Sequence, residues 1–198
     1  VSDLRFEALN HAELTNVTAT FTPGTHVVVG SERDGTGTLI ELAVGMLPPA
    51  AGRVLLDGVG PWSSAHTRAR IASLRADETL LPARDVAQSV AFALRARGDT
   101  RAPSGVLEGA GLAGLATRRV SALTPRESRA VALAIALSHP RPALIAVHEP
   151  LSLIGIIQED FMIETLAGLG AAGSIVLGTA NRLEDAARLG GKQLALER

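Results

Sequence analysis

The chain has 198 residues, 46% of them hydrophobic, with 19 basic against 20 acidic side chains and no cysteine. That is enough for one compact domain with a sizeable core. It excludes disulfides and thiolate metal sites, and the near-zero net charge argues against a broad electrostatic footprint for nucleic acid or an anionic membrane.

Taken in order, residues 4–9 and 14–21 are short strand patterns, the second alternating Val17, Ala19 and Phe21. Pro23-Gly24 turns the chain into the β-branched run Val27, Val28, Val29, which stops at Gly30. A polar loop follows, then an apolar pattern of helical period at Leu39, Leu42, Ala43 and Met46, with the helix ending near Gly45. After a Pro48-Pro49 turn, residues 53–58 form a short strand closed by Asp57-Gly58; residues 63–70 read as a helix and 71–74 as extended. From 77 to 122 alanine, arginine and glycine dominate, with a good helix over 86–97, a glycine- and proline-containing break and a weaker helix over 106–115. This predicts a helical insertion between two halves of a sheet domain. Thr124 at the N-cap, Pro125 at N1 and Glu127 at N3 open the strongest helix, which runs to Ser138. Residues 143–147 and 174–179 are buried strands; 159–169 and 183–189 are helices; 193–196 is a last strand. Apolar strands alternating with helices predict a largely parallel sheet with helices on its faces. No apolar run is long enough to cross a bilayer and no signal-peptide pattern opens the sequence, so a cytoplasmic location is expected.

Strand, glycine loop, helix is the layout of a phosphate-binding loop, Gly-x-x-x-x-Gly-Lys-Ser/Thr. Gly30 and Gly35 hold the spacing, but Thr36 stands at the lysine and Gly37 at the hydroxyl, with Thr38 next. The chain's single lysine is Lys192, so no loop lysine hides under a shifted alignment. Amides around Gly35 and the following helix N-terminus are still able to attract an anion. Glu32 and Asp34 oppose one, and Arg33 is the loop's only cation to set against them.

In this order and at this spacing the segments resemble the nucleotide-binding domain of an ABC transporter. The resemblance rests on Gly45 to Gly58 after the loop helix, Leu80-Leu81-Pro82 and Val86, the helix from Arg129 to Leu137, and an apolar strand ending in Glu149-Pro150. It implies a P-loop NTPase-like α/β core over about 1–76 and 123–198, N-terminal antiparallel strands and a helical subdomain over about 77–122, within a single domain spanning 1–198. It also implies where the chemistry should sit. Ala76 stands at the Q-loop glutamine, and Leu123-Thr124-Pro125-Arg126-Glu127 at the Leu-Ser-Gly-Gly-Gln signature. His148 stands at the metal-associated aspartate, Gly155 at the D-loop aspartate and Ala180 at the switch histidine. Glu149 alone matches, at the general base. Tyrosine is absent, leaving Phe6 as a loose candidate for the adenine-stacking aromatic.

A general base acts only on a positioned nucleophile, so Glu149 is expected to cap or pair locally. His148 is expected to be a hydrogen-bonded strand-end residue, with no metal site. Pro125 removes an amide, Arg126 adds bulk and Glu127 adds charge where the family's glycines approach phosphate. The apolar run 151–157 is either core or a dry association surface, and a shared groove lined by Arg68, Arg70, Arg75 and Arg84 would point to a membrane partner. The expectation is a pseudo-ATPase subunit needing neither ATP nor magnesium. It would dock on a membrane permease at the inner face of the membrane, or form a homo- or heterodimer with a second ABC-type subunit through 151–157, and would not bind nucleic acid. The alternatives are a working Mg·ATP-dependent ATPase using Arg33 and Glu149, and a soluble interaction module on the same fold.

Overall fold

The computed structural model describes residues 2–76, 80–82, 84–152 and 156–196. Two sheets organise it. Strands β1 (Leu4–His11), β2 (Leu14–Phe21) and β4 (Ala51–Leu56) form an antiparallel sheet in the order β2-β1-β4. Strands β3 (Gly24–Val29), β5 (Ile71–Leu74), β6 (Leu144–Val147), β7 (Ile175–Ala180) and β8 (Lys192–Ala195) form a parallel sheet in the order β5-β6-β7-β3-β8. The apolar runs of β6 and β7 follow from this topology. Both strands have neighbours on either side and layers on both faces, and every one of their residues is buried.

Alternation along the strands divides the core. Val28 and Ala146 face a cluster shared with α1 (Thr36–Ala43) and the antiparallel sheet, through Phe6, Leu39, Leu42 and Leu56. Val27, Ile145 and Val147 face the other side, against α5 (Pro125–Leu137), α6 (Ile156–Ala171) and α7 (Leu183–Leu189). A third cluster joins α3 (Val86–Ala96) and α4 (Pro103–Gly109) to Ala130, Val131 and Ala134 of α5. Helix α5 therefore belongs to two cores at once. Its alanines, at 130, 132, 134 and 136, let both sides approach closely.

Strand β1 runs two residues further than expected, to His11, β4 lies two residues earlier than the expected 53–58, and three helices also depart from the sequence reading. The helix expected over 63–70 is the single turn α2 (Ala65–Arg68), capped by the Ser64 hydroxyl accepting from Thr67 N at 3.1 Å. The helix expected over 106–115 starts earlier, with Pro103 in its first turn, and ends at Gly109; Gly111 is left-handed at φ 68° and the chain continues as a 3-10 turn, Ala113–Leu115. Helix α6 is longer than expected at both ends.

The last strand depends on one glycine. Gly191 has φ 83°, and a Cβ there would lie 2.2 Å from the Thr25 carbonyl oxygen. Gly98 is also left-handed (φ 70°) but has open space around it. Gly98→Ala should therefore cost about 1 kcal/mol of backbone strain, and Gly191→Ala at least twice that, roughly 2–4 kcal/mol, because strain and a backbone clash add. Chemical denaturation of the two variants side by side checks this.

Candidate nucleotide site

The chain leaves β3 at Gly30, whose amide donates to the Ala180 carbonyl at 3.0 Å. It then closes a 3-10 turn over Glu32–Asp34. Ser31 N and Ser31 Oγ donate to Asp34 Oδ2 at 2.8 and 2.7 Å, and Asp34 N returns to Ser31 O at 2.9 Å. Gly35 N donates to Glu32 O at 3.0 Å. The amides of Ser31, Asp34 and Gly35 are thus satisfied within the loop itself. Gly35 reverses the chain at φ 85° and leads directly into α1.

Thr36 is fully buried, with its hydroxyl donating to Ser31 O at 3.2 Å. Its methyl lies 3.1 Å from where a Cβ on Gly30 would be, so a side chain occupies the middle of the turn. At Gly37 the neighbour is acidic: Glu32 Oε2 lies 2.9 Å from the position of a Cβ. The other oxygen of that carboxylate, Oε1, is 3.0 Å from His148 Nε2 at the end of β6. Glu32 therefore spans from the first turn of α1 to the end of β6. Arg33 is exposed, and Thr38 makes only a long contact, 3.4 Å, to Glu13 Oε2.

His148 is 4% exposed, and burial pushes its pKa down against the opposing pull of the Glu32 and Glu149 charges. The expected hydrogen-bonded strand-end histidine is corrected here: Nε2 is buried with no hydrogen-bond partner among the described residues, and its contact is the ion-pair approach of Glu32 Oε1 at 3.0 Å. Glu149 is left-handed at φ 40°, a strained backbone for a residue with a side chain. Its amide donates to Thr179 Oγ1 at 3.0 Å and its carbonyl accepts from Ser152 N at 2.9 Å. Its carboxylate makes no hydrogen bond or ion pair with the described residues, so the expected local capping or pairing is not seen.

The start of α5 is a capping box. Thr124 Oγ1 accepts from Glu127 N at 3.2 Å and Thr124 N donates to Glu127 Oε2 at 2.8 Å. Arg118 adds a 2.5 Å contact to Glu127, and these donors hold the Glu127 carboxyl below its ordinary value. Arg126 is exposed. A cavity of about 390 Å³ brings Glu32, Ala76, Pro125, His148 and Glu149 together, so residues scattered over more than a hundred positions share one wall.

Other expectations resolve differently. Phe6 is 1% exposed and packs edge-on against Phe21 with ring centroids 5.8 Å apart, so it is a core residue out of reach of any ligand. Among the described residues the four arginines make separate contacts. Arg68 donates to the Pro61 and Trp62 carbonyls, Arg70 pairs with Asp57 at 2.6 Å, Arg75 lies 4.0 Å from Glu41, and Arg84 sits over the Phe92 ring. Of the run 151–157, Leu151 packs against the central core; Leu153, Ile154 and Gly155 lie outside the described residues. Arg129 escaped the sequence reading. It crosses from α5 to donate to Arg75 O at 2.8 Å and to His148 O, tying α5 to the ends of β5 and β6. Its signal was a second long cation, one turn after Arg126 and directly ahead of the alanine-rich body of the helix.

A family model described as ABC transporter matches residues 14–152. The Fe(3+) ions import ATP-binding protein FbpC of Streptomyces coelicolor is 36% identical over 156 residues, 76% of this chain and 44% of that protein. The thiamine import ATP-binding protein ThiQ of Cereibacter sphaeroides is 31% identical over 169 residues, 81% of this chain and 72% of that protein. The chain thus spans less than half the length of the iron-import relative. A solved structure described as the ATP-binding subunit of an ABC transporter superposes with TM-score 0.86 at 18% identity, covering 97% of this chain and 85% of that one, a likeness of fold. With the parallel sheet, the loop ahead of α1 and the matched segments in agreement, the chain belongs to the ABC transporter family.

Proposed function

We propose that this chain is an ATP-binding-type subunit of an ABC transporter whose own nucleotide site is non-catalytic. It would act by docking on a membrane permease or by pairing with a second ABC-type subunit. The observation that carries this reading is the self-satisfied loop. The amides of Ser31, Asp34 and Gly35 are spent on Asp34, Ser31 and Glu32, and the Glu32 carboxylate lies over Gly37. A magnesium-bound triphosphate needs cationic compensation and free oriented donors there. The residues present do not fit that group: an anion would meet a carboxylate, and His148 replaces the oxygen ligand magnesium prefers.

The names of the relatives, import ATP-binding proteins, support a place in transport, peripheral on the cytoplasmic face through a permease. Among the described residues no helix is long and apolar enough to cross a membrane, so membrane attachment would come through such a partner. We read the chain as one domain, a core over about 1–76 and 123–198 with a helical subdomain between, and assign dimer contact to 151–157. Glu149 lines the cavity and its carboxylate has no hydrogen-bond or ion-pair partner among the described residues, which favours a second reading as a working ATPase.

Thermal unfolding with and without millimolar MgATP separates the two. A ligand present at 100 times its Kd stabilises by about 2.7 kcal/mol, roughly 5–10 °C for a chain of this length. No shift is expected. Turnover abolished by Glu149→Gln would establish the second reading.

A further inference from the structure

We infer that the Glu32 carboxylate is a tethered occupant of an oxyanion seat formed by the first turn of α1 and His148, an autoinhibitory contact that keeps a free anion out. In the non-catalytic reading proposed above, on which this rests, it is what holds the loop shut. Helix α1 opens at Gly35 with no side-chain cap. The amides of Thr36, Gly37 and Thr38 have no acceptor among the described residues, while Leu39 N returns to Gly35 O at 2.8 Å. Such amides, with the helix dipole behind them, attract negative charge. The charge that answers them belongs to the chain itself: Glu32 Oε2 lies 2.9 Å from the position of a Cβ on Gly37.

A second group points to the same place. The His148 side chain is 5% exposed, and its Nε2 has no hydrogen-bond partner among the described residues. A buried polar nitrogen in that state calls for a physical reason. The approach of Glu32 Oε1, at 3.0 Å, supplies one: a single carboxylate meets the helix N-terminus with one oxygen and the imidazole with the other. The Glu32 side chain is nonetheless 62% exposed, so it is seated from solvent and can swing away. Withdrawn, it leaves a carboxylate-sized opening beside a cavity of about 390 Å³, in whose lining the Arg129 cation stands against the Glu149 carboxylate. The group that fits these N–H donors is a compact inorganic oxyanion of phosphate or sulfate size, with no metal required.

Titration of nitrogen-15-labelled protein with inorganic phosphate, without nucleotide or magnesium, tests this through the amide resonances of Thr36, Gly37 and Thr38. In Glu32→Ala these should shift saturably, and sulfate should reproduce the shift. The wild type should bind at least about 5-fold more weakly, the factor that two like charges about 4 Å apart impose even in bulk water. Glu32→Gln, which keeps the shape and removes the charge, should also bind more tightly than the wild type. Adding His148→Gln to Glu32→Ala should weaken binding again. Should that buried change prevent folding, the two Glu32 variants, at an exposed side chain, decide alone. Equal phosphate affinity in Glu32→Ala and the wild type, or shifts confined to other amides, an adventitious ion only, would overturn the inference. Saturable MgATP binding by the wild type would instead overturn the non-catalytic reading, so the two failures are distinct.

Discussion

Phe6→Ala will lower the unfolding free energy by about 3–5 kcal/mol, and by the same amount with or without nucleotide. The ring is fully buried between β1 and the central sheet, in the cluster that contains Leu4, Leu39, Val54 and Leu56. Its perpendicular contact with Phe21, at an interplanar angle of 84°, contributes beyond area burial. The large side chains around it, Leu4, Leu39, Val54 and Leu56, are themselves fixed in two strands and a helix, so the void closes only in part. A melt of the variant checks the size of the effect. Weakened ligand binding at unchanged stability would instead make Phe6 a ligand residue.

Arg129→Ala will cost about 2–4 kcal/mol, with Arg129→Lys recovering part of it. A charged donor to a carbonyl is worth about 1.5–3 kcal/mol, and removing it leaves the acceptors partly buried and unpaired. Arg129 reaches carbonyls on two segments, Arg75 after β5 and His148 after β6, with a longer 3.5 Å approach to Glu149 O. Lysine can satisfy one of these but not hold two at once, since it lacks the planar fork. Denaturation gives the magnitude. Hydrogen exchange gives the location: the amide of His148, bonded to Leu74 O at 2.7 Å, and that of Glu149 should exchange faster in Arg129→Ala than the interior of β7. Uniform acceleration across the chain would contradict a local strut.

What the sequence could disclose follows from the range of the forces involved. The continuous apolar runs at 144–147 and 175–180 announce strands covered on both faces, and both are buried throughout. Thr124, Pro125 and Glu127 announce a helix start because every contact of a capping box is made within four residues. The turn after Gly30 was legible as a loop with the wrong charge. Its self-satisfaction was only half legible, since Ser31 and Asp34 form a local box but Glu32 reaches His148, more than a hundred positions away. Separations of 54 and 19 positions likewise hid the role of Arg129, whose acceptors follow two different strands. Helix α4 was misplaced because Gly105, Gly109 and Gly111 weaken the periodic signal, and the start at Pro103 outweighs it. The arginines at 68, 70, 75 and 84 were close in sequence, but each was taken by a different local acceptor, which composition alone does not reveal.

The central claim is that the loop between Gly30 and Thr38 is closed on itself and holds no triphosphate. Equilibrium titration of the purified chain with ATP and magnesium, read by calorimetry or a fluorescent analogue, measures this directly. No saturable binding up to millimolar nucleotide is the expected result. A stoichiometric site of micromolar affinity, lost when the loop is altered at Gly35 or Thr36, would contradict it.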